Sequence, residues 1–487
     1  MIAEVLKFVL DDRVVAIDFS KESFRPSTTV LNYLRSMPHH RGAKEGCAEG
    51  DCGACTVVLG ELDETHTIRY KAVDSCLLFL AAIHGKHLVT VENLAVRNGK
   101  ELRLHPVQQA MVDNHGSQCG FCTPGVVMSL FSLYKSDQLP TRENLTLSLA
   151  GNLCRCTGYQ PIIEAAVQCC KERLPDRFDE NRAAVVKMLR EIKAEGESLS
   201  IASPLQRYML PANLQEAMKL RAQFPNAKVI AGATDTAIRQ NKTHDYLPEI
   251  LDLSHISELE QVRKTGGGVF IGAGVRIENF KEYATVHLKH FLPVLDVFAS
   301  QQIRNVATVG GNLVTASPVG DLIPPLIALK SKVELTSETG KRHLDLEQFI
   351  TGYRQTSLRP DELLTGVFIP QMPEGMHFFL EKVSTRRDLD ISTVSLSVAL
   401  RTSSEGVVSE AAVVLGGMAE RPQRALSVEK ELTGKPLNWE TAKECAAMLE
   451  KEFTPISDAR STRQYRTLAA RNLLLKAFER FIANKQN

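Results

Sequence analysis

Eight cysteines crowded into four short runs before residue 157 constrain what this chain can fold into more than any other feature. Cys47, Cys52 and Cys55 stand in EGCAEGDCGACTVVLG, Cys76 in AVDSCLLFLAA, Cys119 and Cys122 in GSQCGFCTPG, and Cys154 and Cys156 in GNLCRCTGYQP. No charged and apolar leader opens the sequence, so a secreted disulfide framework is not expected, and clustered thiols point to metal or redox chemistry. Cys169, Cys170 and Cys445 lie outside the runs, within helical patterns, and read as packing residues.

The first three cysteines have the form C-x4-C-x2-C with a distant fourth, the plant-type spacing for a 2Fe-2S cluster. Gly46, Gly50 and Gly53 permit the sharp loop that would aim backbone N–H groups at anionic thiolates. Alternation in EVLKFVLDDRVVAIDF predicts a hairpin, and TTVLNYLRS a short helix capped by Thr28 or Thr29. Hairpin, helix and cluster loop together make a β-grasp ferredoxin. Zinc is the competing metal, but it favours paired C-x2-C knuckles, and only one pair here has that form. The second set joins C-x2-C to C-x-C, too tight for an ordinary zinc knuckle. Each pair runs through Thr to a proline, Pro124 or Pro161, suited to a first helical turn. Two helix N-termini would then lend N–H groups and positive dipole ends to one anionic centre. Residues 84–173 otherwise read as helical, predicting a four-helix bundle with the second set at its loops.

A chain of 487 residues holds about three or four domains. Its net charge of +1 gives no nucleic-acid footprint. No stretch approaches the roughly 20 apolar residues of a membrane span, so no membrane role and a cytoplasmic location are expected. Residues 176–204 shift to a charged composition with room for a short helix and a Ser/Pro-marked end, and read as a linker with a solvated face. Beyond it, AGATDTA is a glycine turn able to bring amides to a diphosphate. Neither it nor GGGVFIGAGVRI has the form G-x-G-x-x-G, so a Rossmann fold is not supported. A second loop, in QQIRNVATVGGNLVTASPVGD, sets Gly310, Gly311 and Asn312 between strand-like residues and a Ser-Pro turn ending at Asp321. Two such loops suit one dinucleotide.

EGCAEGDCGACTV, SQCGFCTPG and GNLCRCTGYQPI together resemble the iron-sulfur half of the molybdenum hydroxylases, and the glycine loops with FITGYRQTSLRPDELLTGVFIP resemble their flavin domain. The resemblance implies a multidomain α+β chain. Its parts would be a β-grasp ferredoxin domain over 1–83, a helical 2Fe-2S domain over 84–175, the linker, a two-lobed FAD domain over 205–382 and a C-terminal α+β domain over 383–487. Two 2Fe-2S clusters are implied, one on Cys47, Cys52, Cys55 and Cys76 and one on Cys119, Cys122, Cys154 and Cys156.

For FAD the resemblance implies a diphosphate cradled by Val229, Ile230, Ala231, Gly232, Ala233, Thr234 and Asp235 and by Thr308, Val309, Gly310, Gly311 and Asn312. Asp321 would bind the adenosine side, Phe298 would stack near the isoalloxazine or serve as a core aromatic, and Leu364 and Lys382 would line the pocket. Gln118 would reach a pterin held by a partner, or bond a helix end. Arg386, Arg387 and Asp390 would lie on a loop beside the flavin where NAD could dock, with solvated arginines and oxygen as acceptor the competing reading. The chain is too short for molybdopterin domains, so a molybdopterin-binding large subunit is expected, in a heterotetramer of two small and two large chains. Hydroxylation would then use no residue of this chain.

Overall fold

The computed structural model describes residues 2–99, 101–171 and 173–485. The chain forms two compact units, one of Met1–Leu220, Asn226–Ile256 and Ser300–Ala307, the other of Arg221–Pro225, Ser257–Ala299 and Thr308–Asn487.

In the first unit, period-two alternation builds a five-stranded mixed sheet in the order Arg13–Ile17, Leu6–Leu10, His87–Val89, Thr56–Leu62, Ile68–Asp74. Leu6–Leu10 runs parallel to His87–Val89 and antiparallel to Arg13–Ile17. Leu6, Phe8 and Leu10 pack with Val30, Leu31 and Leu34 of the helix Val30–Ser36, which Thr29 caps by accepting a hydrogen bond from Asn32 N at 3.2 Å. Val9 and Ile68 point the opposite way, onto Val185, Leu189 and Ile192. These belong to the helix Arg182–Glu195, so the charged stretch expected as a linker is an amphipathic helix covering the sheet's second face. His84 pins the end of that helix: Lys7 N donates to its Nδ1 at 3.2 Å, and its Nε2 donates to Gly196 O at 3.0 Å.

Two expected boundaries shift for the same reason, the pairing of strands distant in sequence. His87–Val89 completes the first sheet, so that layer runs past residue 83. Ser198–Ala202, placed in the linker, joins a second mixed sheet ordered Ile2–Ala3, Ser198–Ala202, Arg207–Leu210, Glu249–Asp252, Lys228–Ile230. Helical periodicity begins only at Pro106, where His105 and Gln108 form a capping box. From there Pro106–Asp113, Thr123–Tyr134, Arg142–Leu149 and Gln160–Lys171 give the four expected helices, with Val107, Met111, Leu130, Phe131, Leu145 and Ile162 in one core that also takes Val58 and Val89 from the first sheet.

The second unit holds a five-stranded antiparallel sheet ordered Val262–Thr265, Gly268–Gly272, Leu363–Pro370, Lys332–Ser337, Gly340–Asp345. A four-stranded antiparallel sheet follows, beginning with Met376–Val383, so the boundary expected at 382/383 falls inside a strand. Helices Leu426–Leu432, Trp439–Glu452 and Arg463–Lys485 back it, with Val398, Val413, Leu449, Leu474 and Phe478 in their common core. Cys445 is buried in that core as a packing residue. The residues before Gly310 are not a strand: Thr308 caps the short helix Val309–Thr315 instead, accepting from Gly311 N at 3.0 Å.

Among the described residues no helix is long and apolar enough to cross a membrane.

Candidate functional site

In the first unit the eight clustered thiols fall into two sets, each arranged two by two. Electrostatically the thiols act on one another in pairs, Cys47 with Cys52, Cys55 with Cys76, Cys119 with Cys156 and Cys122 with Cys154. Among the described residues no three His, Cys, Asp or Glu side chains converge as a single ion would require. Tetrahedral zinc needs four donors on one ion. Two pairs are instead what a 2Fe-2S cluster asks for, since its four thiolates are divided between two irons. The donor chemistry of both sets fits that group.

The first set is wrapped by backbone. Glu49 N and Asp51 N donate to Cys47 Sγ at 3.5 and 3.2 Å. The Cys52 thiol, with these N–H groups behind it, holds the Cys47 thiol down to about 5 against the opposing effect of burial. Cys52 and Cys55 move up, Cys52 through its interaction with Cys47 and Cys55 through its interaction with Cys76, each with burial added. Gly50 and Gly53 adopt φ of 76° and 66°, and a Cβ on Gly46 would press to 2.8 Å from Cys52 Sγ. Cys55 and Cys76 are buried. Asp74 Oδ1 accepts from Cys55 Sγ at 3.6 Å, while burial pushes that carboxyl up to about 8.

The second set lies at helix starts and at the surface. Cys122 is the N-cap residue of Thr123–Tyr134, with Pro124 in the first turn, and Gln160–Lys171 begins four residues beyond Cys156. Cys119 and Cys156 are exposed, and so is Gln118 beside them. The Phe121 N–H lowers the Cys119 thiol, whereas burial, then the bond to Cys154, pushes Cys122 up to about 12. Burial also opposes the Cys154 thiolate, but Thr157, whose Oγ1 is 3.2 Å from Cys154 Sγ, outweighs it and the thiol moves down. Phe121 and Tyr159, near the exposed thiols in sequence, are 46% and 39% exposed.

Residues that the sequence reading missed hold the two sets together. Leu153 N donates to Cys52 O at 3.0 Å, so one hydrogen bond joins a first-set ligand to the residue preceding Cys154. Asn152 Nδ2 donates to Gly53 O at 3.1 Å. Asn241 Nδ2 donates to Ala48 O and Cys76 O at 3.0 and 2.8 Å, and Lys242 Nζ donates to Cys47 O at 2.7 Å. Both lie on the helix Thr236–Thr243, directly after the glycine turn Val229–Asp235. The only sequence signal for them was polar identity, because their partners are remote in the chain.

The expected flavin residues divide between the units. In the first, the turn Val229, Ile230, Ala231, Gly232, Ala233, Thr234, Asp235 bends sharply. Ala233 has φ of 56°, and a Cβ on Gly232 would lie 2.1 Å from Val306 O, so only glycine fits there. In the second, the amides of Val309 to Asn312 are satisfied internally, by Val275 O, Ala273 O, Thr308 Oγ1 and Thr308 O. That loop therefore presents side chains rather than free amides. Asn312 Oδ1 is buried without a partner, an acceptor suited to a ligand hydroxyl, and the exposed Gly311 would let a ligand approach the backbone. Each loop by itself suits part of a nucleotide ligand. Asp321 and Lys382 meet as an ion pair at 2.8 Å, and Ser392 Oγ donates to the other Asp321 oxygen at 2.5 Å. Phe298 and Leu364 are buried. Arg386 N donates to Asp390 Oδ2 at 2.8 Å, which folds that loop on itself, and Arg387 is exposed.

Comparison with known proteins matches three family models: a 2Fe-2S binding domain over 90–167, an FAD binding domain in molybdopterin dehydrogenase over 190–372, and a CO dehydrogenase flavoprotein C-terminal domain over 380–481. Xanthine dehydrogenase of Drosophila subobscura is 32% identical over 93% of this chain, and xanthine dehydrogenase/oxidase of Gallus gallus 32% over 92%. The chain spans 38% of the length of each. The solved structure of Cu,Mo-CO dehydrogenase in its cyanide-inactivated form is 30% identical, with a TM-score of 0.52, over 56% of this chain and 96% of that one. Quinoline 2-oxidoreductase from Pseudomonas putida 86 is 27% identical, with the same TM-score, over 57% of this chain and 96% of its own. Cysteine sets, flavin loops and these likenesses lead to one conclusion: the chain belongs to the molybdenum hydroxylase family, as its iron-sulfur and FAD-binding region.

Proposed function

We propose that this chain is the electron-transfer subunit of a xanthine dehydrogenase, working with a molybdopterin-binding large subunit that converts hypoxanthine and xanthine to urate. The observation that carries the reading is the Leu153 N–H bond to Cys52 O, which brings two complete sets of paired thiols into backbone contact. When bound, two 2Fe-2S clusters and FAD supply one-electron stores and a carrier that exchanges electrons singly with clusters and in pairs with NAD.

The residues have separable tasks. Cys119 and Cys156, exposed beside Phe121, Tyr159 and Gln118, form the side a pterin-bearing partner can approach. Cys55 and Cys76, buried, keep the first centre away from water and oxygen. Asn241 and Lys242 fasten the first cysteine loop to the helix that follows the flavin turn. Val229 to Asp235 in one unit and Thr308 to Asn312 in the other are each read as a loop for the FAD diphosphate. Asp321 keeps Lys382 neutralised beside the nucleotide, while Phe298 and Leu364 give an apolar wall. The Arg386–Asp390 loop receives NAD. A cytoplasmic heterotetramer of two small and two large chains is the assembly expected.

The 32% identity to xanthine dehydrogenases supports the substrate. The likeness to CO dehydrogenase and quinoline 2-oxidoreductase supports a second reading, the same relay serving an aldehyde oxidase or another hydroxylase. Purifying the native complex anaerobically and following flavin and cluster absorbance after xanthine, with and without NAD, separates the two. Bleaching by xanthine with recovery on NAD supports the first. Bleaching by NADH but not by xanthine moves the substrate to other heterocycles or aldehydes.

A further inference from the structure

The contact between the two cysteine loops is too close to be incidental. A Cβ on Gly53 would lie 2.2 Å from Gly151 O, one on Gly125 2.1 Å from Gly53 O, and one on Gly151 2.2 Å from Gln302 Oε1. Gly53 and Gly125 thus admit a backbone approach that a side chain would prevent, and Gly151 leaves room for the Gln302 side chain. At its centre Asn152 is buried with its side chain fully engaged. Its Nδ2 donates to Gly53 O at 3.1 Å and Thr56 Oγ1 at 3.3 Å. Its Oδ1 accepts from Ser129 Oγ at 2.7 Å and Gln302 Nε2 at 3.0 Å. Gln302 Nε2 also donates to Ser129 Oγ at 3.1 Å, closing a ring of three polar side chains out of water.

This ring grips both ends of the Leu153–Cys52 bond. Gly53 follows Cys52, and Asn152 precedes Leu153, so the Asn152–Gly53 bond runs beside the backbone bond and fixes its register. Gln302 belongs to Ser300–Ala307, whose Asn305 Nδ2 donates to Ala72 O at 2.8 Å and whose Ile303 abuts Gly50 inside the first cysteine loop. One segment therefore braces both loops. Buried polar groups hold a fixed arrangement where they are satisfied, as those of Asn152 and Ser129 are; among the described residues Gln302 Oε1 is buried beside them without a partner.

We propose that Asn152, held by Ser129 and Gln302, is a positioning residue that sets the separation of the two redox centres and with it the rate of electron exchange between them. The proposal rests on the two-cluster relay described above. Geometry is the point of leverage, because small displacements of reacting partners cost large factors in rate.

The test uses the full chain with its iron and flavin, prepared anaerobically, as wild type and as Asn152→Asp and Gln302→Ala. Asn152→Asp keeps the shape but replaces the two donors with a second acceptor facing Gly53 O. Gln302→Ala leaves Asn152 in place and removes one arm of its brace. Paramagnetic resonance of fully reduced wild type should show two distinct cluster signals with mutual spin coupling; a single signal would overturn the relay itself. In the variants both signals and the iron content should persist, while the spin coupling weakens and the intercluster transfer rate after flash reduction falls by about tenfold. Unchanged coupling and rate in a variant that keeps both signals overturns the positioning role. If Asn152→Asp loses iron, Gln302→Ala decides alone on the same readings.

Discussion

The two cysteine sets share a donor chemistry and differ in almost everything around it. The first sits in a glycine-rich loop with Cys55 and Cys76 buried, backbone N–H groups on Cys47, and Asn241 and Lys242 tied to its carbonyls. The second sits at two helix starts with Cys119 and Cys156 at the surface. Burial insulates a centre from water but closes it to partners, whereas exposure opens it at the cost of protection. The relay proposed above, fed by another chain and passing electrons within its own, would use one of each.

Losing a ligand should break this contrast most completely. In the native complex, Cys119→Ser is expected to abolish the second set's resonance signal and xanthine-driven flavin reduction, while NADH still reduces the flavin. Cys55→Ser should abolish the first signal and leave the second. Loss of both signals from either change would mean the sets are not separate centres.

Access gives the next largest effect. In iron-stripped protein, Cys119 and Cys156 should alkylate on the order of a hundredfold faster than Cys55 and Cys76, because the buried pair reacts only after local opening. Mass mapping of a timed alkylation reads the ratio directly, and equal rates would erase the difference argued above.

Glycine substitutions should separate the sets in stability. Gly53→Ala combines a φ of 66° with a Cβ 2.2 Å from Gly151 O, and should cost about 3 kcal/mol or more. Gly120→Ala, beside Cys119, has φ of 81° but nothing within 4 Å of its Cβ, and should cost about 1 kcal/mol. Thermal unfolding of the loaded full chain compares them.

Acid should distinguish the scaffolds by the smallest margin. Burial lowers the His84 imidazole below its usual 6.5, so the unfolded chain takes up that proton first, and stability under the first sheet is lost as pH falls below about 6.5. Asp176 behaves differently. Burial opposes its charge, but hydrogen bonds from His105 and Lys135, both at 2.8 Å, prevail and hold the carboxyl well below the usual range. Its contribution is present above the ordinary carboxylate pKa and lost only as pH falls through its own depressed value. Amide protection factors, which divide out the intrinsic pH dependence of exchange, should therefore fall around Lys7 and Gly196 between pH 7.5 and 5 before they do around His105 and Lys135.

Local signals in the sequence proved legible wherever a feature's cause is also local. The cysteine runs were readable as runs but not as pairs, since Cys119 couples to Cys156 and Cys122 to Cys154 across them; Thr29, one of two candidate caps, and the first-turn prolines Pro124 and Pro161 act within a few positions of themselves. Charge composition misled at 176–204, because an amphipathic helix with a narrow apolar stripe of Val185, Leu189 and Ile192 is mostly charged whether or not it packs. The run before Gly310 looked strand-like from its β-branched residues, yet it pairs only through one isolated bridge, Thr308 to Arg276, and Thr308 then caps the helix that begins at Val309.

What the sequence by itself determined is the inventory: eight thiols in two sets, two glycine turns, and the order of their domains. Only the tertiary structure decided which thiol faces solvent, which amides of the second flavin loop are already used, and which polar residues brace the cysteine loops. Asn152, Gln302 and Asn241 reach partners 99, 150 and 193 residues away. No window of local pattern contains such a pair, because their meeting is a product of chain packing and not of periodicity or turn chemistry.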